Sequence, residues 1–128
     1  MALVWAATPA TPVITIGVVT LMQGCATTNP VVIAEQSTDS AYNTMETFKQ
    51  WEWNNRATLE GINPQIEHYA NIIRRNEKKW LQSARAETMA YKYNRTPENK
   101  VSMDTAVAVL KEAMHQIAIY MATPTGGH

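Results

Sequence analysis

Residues 102–121 read SMDTAVAVLKEAMHQIAIYM, in which Met103, Val107, Leu110, Met114, Ile117 and Met121 stand 4, 3, 4, 3 and 4 positions apart. This spacing averages 3.5 residues, the repeat that keeps one side of an α-helix turned toward a neighbouring helix. Ala106, Ala113 and Tyr120 lie beside the seam and widen it into a face. Ser102 is the expected cap, with Asp104 in the first turn near the positive end of the helix dipole. Thr123-Pro124-Thr125-Gly126-Gly127 ends the helix. An apolar side this continuous has to be covered by something.

The covering elements lie upstream. Asn63-Pro64 and Thr96-Pro97 each place a capping side chain before a proline at the first helical position, where a missing N–H costs nothing. Between them Ile66, Tyr69, Ala70, Ile73, Trp80, Ala84, Thr88 and Tyr91 mark one face of a long helix ending near Asn94. Further back, Ser37, Asp39 or Ser40 is the expected cap of a first helix, with Ala41, Met45, Phe48, Trp51 and Leu59 on its apolar side. Gly61 reads as a left-handed stop, with Ile62 folding back toward Leu59. No segment alternates as a strand does. The expected fold is all-α, a three-helix bundle or an extended helical hairpin plus a third helix, preceded by an uncharged apolar arm. The expected division is residues 1–34 as arm and tether, 35–122 as helical domain and 123–128 as tail.

Charge sorts the helices. From Glu35 to Glu60 five acids face two bases, and from Gln65 to Arg85 five bases face two acids. An acidic helix joined by a short turn to a basic one suits an antiparallel hairpin, or pairing between copies. Each exposed pair adds only about 0–1 kcal/mol, so charge here selects partners more than it stabilises. Over the whole chain 11 Lys and Arg balance 11 Asp and Glu. Nothing attracts the chain generally to nucleic acid or to anionic lipid, and no nucleic-acid partner is expected. One cysteine, Cys25, excludes an internal disulfide framework and a cysteine-rich metal site.

The arm departs from everything that follows it. Its sequence is MALVWAATPATPVITIGVVTLMQGCATTNPVVIA, and the first charged residue is Glu35, so all 22 charges fall in the last 94 residues. Val13–Met22 is a ten-residue apolar run broken only by Thr15, Gly17 and Thr20, the length of a signal-peptide core and half of what a membrane-crossing helix needs. Leu21-Met22-Gln23-Gly24-Cys25-Ala26 follows it. This stretch resembles the lipobox of bacterial lipoproteins, with an apolar residue three before the cysteine and a small one just before it. The resemblance covers the N-terminal segment alone. It implies cleavage before Cys25, acyl chains on Cys25, a tether over Ala26–Pro30 and, from Ala26, an outer-membrane address on the periplasmic face. Two acyl chains anchor a protein stably where one does so only marginally. The alternative is an uncleaved arm packed among the subunits of a virus particle or secretion channel.

Few residue patterns suggest chemistry. Glu112-x-x-His115 matches one half of a di-iron ligand pair, but both residues point away from the seam. His68 and His128 have no partner at metal spacing. No phosphate loop, nucleophile elbow or catalytic cysteine is present. The expectation is a non-enzymatic protein without cofactors or metals. Arg74-Arg75-Asn76-Glu77-Lys78-Lys79-Trp80 is the one basic cluster, and at helical spacing it wraps round its helix. Trp51 and Trp53 diverge by about 200° on a helix, so one packs inside and the other faces solvent or a partner. Trp53 and the Met103, Val107, Leu110, Met114, Ile117, Met121 seam are the candidate partner-binding residues, and Cys25 the candidate lipidation site.

Overall fold

The computed structural model of the chain describes residues 29–124, and among these it is all-helical. Four helices follow in order: α1 (Pro30–Asn54), α2 (Arg56–Ile62), α3 (Pro64–Tyr93) and α4 (Pro97–Met121). Residues 1–28, and with them Cys25, lie outside the described residues.

Three Xaa-Pro pairs open the three long helices. The Asn29 carboxamide oxygen accepts from the Val31 N–H at 3.0 Å, that of Asn63 from Gln65 at 3.0 Å, and the Thr96 hydroxyl from Asn99 at 3.1 Å. The second and third lie where the sequence places them. The first corrects it: α1 starts at Pro30, inside the uncharged segment, so Ser37, Asp39 and Ser40 are interior residues. Ser102 is likewise interior to α4, because Thr96 already caps that helix.

The end of the first helix is also corrected. The backbone turns at Asn55, whose side chain donates to the Trp51 carbonyl at 2.8 Å and competes with the helical ladder. The short α2 then carries Leu59 into the core, fully buried, while Ile62 remains 47 % exposed and does not fold back. Gly61 is a residue of α2 with open space around it, not a left-handed stop. The stop is Asn63, extended at φ −158° and ψ 97° as a residue before proline prefers.

From Ala34 onward the long helices close on one core. α1 contributes Ala34, Thr38, Ala41, Met45, Phe48 and Glu52 at 4-3 spacing, and α3 contributes Ile66, Ala70, Ile73, Glu77, Leu81, Ala84 and Thr88. α4 contributes Met103, Ala106, Val107, Leu110, Ala113 and Ile117. Lys49 meets Glu77 and Glu52 meets Arg74. A step of three residues forward along α1 is thus matched by three back along α3, which defines an antiparallel pair. The Tyr69–Tyr120 ring contact at 5.5 Å ties the start of α3 to the end of α4 in the same antiparallel sense.

Candidate interaction site around Trp53

The last turns of α1 hold two tryptophans with opposite fates. Trp51 stacks on Phe48 with ring centroids 6.0 Å apart, and Phe48 in turn meets Tyr69 at 6.0 Å. Trp53 points outward, 62 % exposed, with the Arg56 guanidinium 4.7 Å above its ring. The residue between them is the surprise of the region: Glu52 is fully buried. It sits four positions after Phe48, where the seam calls for an apolar side chain.

Its charge is matched on two sides. Arg56 donates to both carboxylate oxygens, at 2.9 and 3.1 Å, and Arg74 reaches across from α3 to Oε1 at 2.6 Å. Burial alone raises the Glu52 pKa, but hydrogen bonds from Arg56 and Arg74 outweigh it and hold the carboxyl below the ordinary range. Arg74 is itself oriented by Asn71 at 2.9 Å and by the Lys49 carbonyl at 3.3 Å. One turn along, Lys49 bridges Glu46 at 2.7 Å and Glu77 at 2.6 Å. Glu77 is 6 % exposed, and its second oxygen has no partner. Burial and the adjacent Glu46 carboxyl push its pKa up, whereas Glu77 and Lys49 pull that of Glu46 down.

Above this frame lies a shallow cleft of about 300 Å³ lined by Glu46, Lys49, Gln50, Trp53 and Arg74. Trp53 forms its aromatic wall. Arg56 is shared between the buried Glu52 and the Trp53 face, so the indole is held against a cation that cannot wander. A large amphipathic ring already restrained before contact loses little freedom on binding, which is the character of an interface anchor. Every buried charge in this frame is engaged by another.

The remaining candidates are placed differently. Met103, Val107, Leu110 and Ile117 are at most 6 % exposed and belong to the core of this same chain, with Met114 and Met121 packed against its edge. That seam closes the bundle internally and is not presented to a partner. Glu112 and His115 are exposed, as is His68, and among the described residues no three acidic, histidine or cysteine side chains could hold a metal ion. His128 and Cys25 lie outside the described residues. Of the basic cluster, Arg74 is acid-paired, while Arg75, Lys78 and Lys79 are exposed. Sequence reasoning missed Glu52 and Glu77. The signal was their register, each lying four residues after a core residue, Phe48 or Ile73.

Among the described residues no helix is long and apolar enough to cross a membrane. A comparison with protein-family models, with curated proteins and with solved structures finds no match to this chain.

Proposed function

We propose that this chain is a non-enzymatic helical assembly subunit, held at a bacterial envelope by acyl chains on Cys25 and meeting protein partners through the Trp53 surface. The observation that carries this reading is the division of charge: 34 residues without one, containing Leu-Met-Gln-Gly-Cys, before a segment that holds all 22. In this reading the anchor is lipid and the bundle needs no membrane-crossing helix, since two acyl chains suffice. The bundle supports the subunit role by what it exposes: a restrained Trp53 over an ion-paired frame.

Intact mass of the protein recovered from its own cells tests it. A chain beginning at Cys25 and heavier by its acyl groups is the expected result, with Cys25→Ser giving no acylated species. A mass that includes Met1 and no lipid overturns it. One observation favours a second reading, an uncleaved arm inside a virus particle or secretion channel: residues 1–12 contain no Lys or Arg, which a signal peptide ordinarily carries. That reading expects the full mass, in particles rather than in membranes.

A further inference from the structure

Helices α1 and α3 carry facing charges at both ends of their interface, but ion pairs close only one of them. Toward Trp53, Lys49 meets Glu77 at 2.6 Å and Glu52 meets Arg74 at 2.6 Å. Continued toward the start of α1, that register sets Glu35 level with position 91 and Asp39 level with position 87. Lys92 is then one residue from the level of Glu35, and Arg85 two from that of Asp39. All four side chains are exposed, and among the described residues none belongs to an ion pair. They line a cleft of about 360 Å³, with Thr38 and Thr88 at its base. These threonines are buried, 2 and 4 % exposed. Each hydroxyl donates to its own helix, at 2.8 and 2.7 Å, and among the described residues neither oxygen accepts a hydrogen bond.

We propose that this cleft binds a short peptide with free termini, its ammonium group against Glu35 and Asp39 and its carboxylate against Arg85 and Lys92. Two acids on the α1 wall and two bases on the α3 wall leave the site neutral overall. A simple anion or cation therefore loses to one wall what it gains from the other, whereas a ligand carrying both charges gains from both.

Size and polarity select the class further. Arg85 and Lys92 stand seven residues apart, about 10 Å along α3, and an extended peptide of three residues spans about the same length. The volume is that of a small-molecule site. The two threonine oxygens are free to accept from peptide N–H groups at its base. Met89, on the same cleft and 52 % exposed, supplies an unbranched apolar chain that adapts to side chains of different shape. This site goes beyond the assembly role and depends on neither Cys25 nor Trp53, so it stands or falls separately from that reading.

The test is titration of the full chain with trialanine, followed by amide chemical shifts. Saturable changes at millimolar peptide are expected, centred on residues 35–42 of α1 and 85–92 of α3. Trialanine acetylated at its amino end and amidated at its carboxyl end has the same length without charge, and is expected to give none. Glu35→Gln and Arg85→Gln, both at exposed positions, are each expected to weaken binding about ten-fold with helical circular dichroism intact. The proposal is overturned if trialanine leaves the spectrum unchanged, which is the outcome if Glu35 and Asp39 close the cleft by pairing with Lys92 and Arg85. It is overturned equally by capped peptide that binds as well as the free one, by shifts centred elsewhere, or by variants of unchanged affinity.

Discussion

The two ends of the helical bundle use the same 4-3 spacing and fill it with different chemistry. At the end where α1 finishes and α3 begins, the core holds Phe48, Leu59, Ile66 and Ile117, flanked by Trp51, Tyr69 and Tyr120 and crossed by the Glu52–Arg74 pair. At the opposite end Leu81 and Met103 are the large buried side chains, set among the smaller Ala34, Thr38, Ala41, Ala84, Thr88 and Ala106. There the two threonine hydroxyls turn inward to their own helices, Thr38 to the Ala34 carbonyl at 2.8 Å and Thr88 to that of Ala84 at 2.7 Å. A cleft of about 360 Å³ lined by Thr38, Thr88, Met89, Glu35, Asp39, Arg85 and Lys92 lies between α1 and α3 at this end. Equal periodicity thus gives unequal cohesion. Burial scales with side-chain size, so the large rings give one end more buried apolar area than the mixture of small and large residues gives the other.

The sharpest way to break this contrast is Phe48→Ala. Phe48 is fully buried and touches two aromatic rings, so its truncation is expected to cost about 3–5 kcal/mol, read by urea denaturation. A cost below about 1 kcal/mol would show that the aromatic end does not dominate.

The two buried glutamates sharpen the picture through pH. Glu52 has a folded pKa below its unfolded one, so its contribution is present above the unfolded value and is lost as pH falls through the folded one. Glu52→Gln is expected to cost about 1–3 kcal/mol at neutral pH and to converge on the wild type in acid. Glu77 has the opposite sign. Its folded pKa is raised, so its contribution is present below the unfolded value and is lost as pH rises through the folded one. Glu77→Gln is therefore expected to gain on the wild type as pH rises out of the ordinary carboxylate range and through the raised folded value. Parallel slopes for the two variants in unfolding experiments across pH would contradict the ion-pair geometry.

At the opposite end Thr88→Val removes a hydroxyl that bonds only to its own helix. The change is expected to stay within about 1 kcal/mol in the same denaturation measurement. The smallest effect belongs to the surface: Trp53→Ala is expected to shift stability by no more than about 0.5 kcal/mol, because Trp53 projects from the bundle rather than into it. A large loss there would recast Trp53 as a structural residue and remove it as an interface anchor.

Much of this was legible before any coordinates. Asn63-Pro64 and Thr96-Pro97 mark their boundaries because a capping oxygen and a pre-set φ act within three residues. The α4 seam shows itself because six apolar residues repeat without interruption. Asn29-Pro30 has the same local logic, but the change in charge at Glu35 drew the boundary away from it. Trp51 was read as a seam residue in place of Glu52 because hydrophobicity ranks side chains one at a time. The candidate site was half visible: the divergence of Trp51 and Trp53 follows from helical geometry, whereas the Arg56 and Arg74 clamp beneath them does not.

The sequence by itself determined three long helices and their order, though not the start of the first or the break at Asn55, together with the split between uncharged and charged segments and that one of two neighbouring tryptophans faces out. Each of these depends on contacts a few residues long. Only the tertiary structure decided that a glutamate takes a core position on α1 and another on α3, that the Met103–Ile117 seam is consumed inside the chain, and that Val101, Val109 and Ile119 remain outside. The reason is physical: a carboxylate is tolerated in a core when a cation from another helix reaches it, Arg74 for Glu52 and Lys49 for Glu77, and that approach is a property of three dimensions.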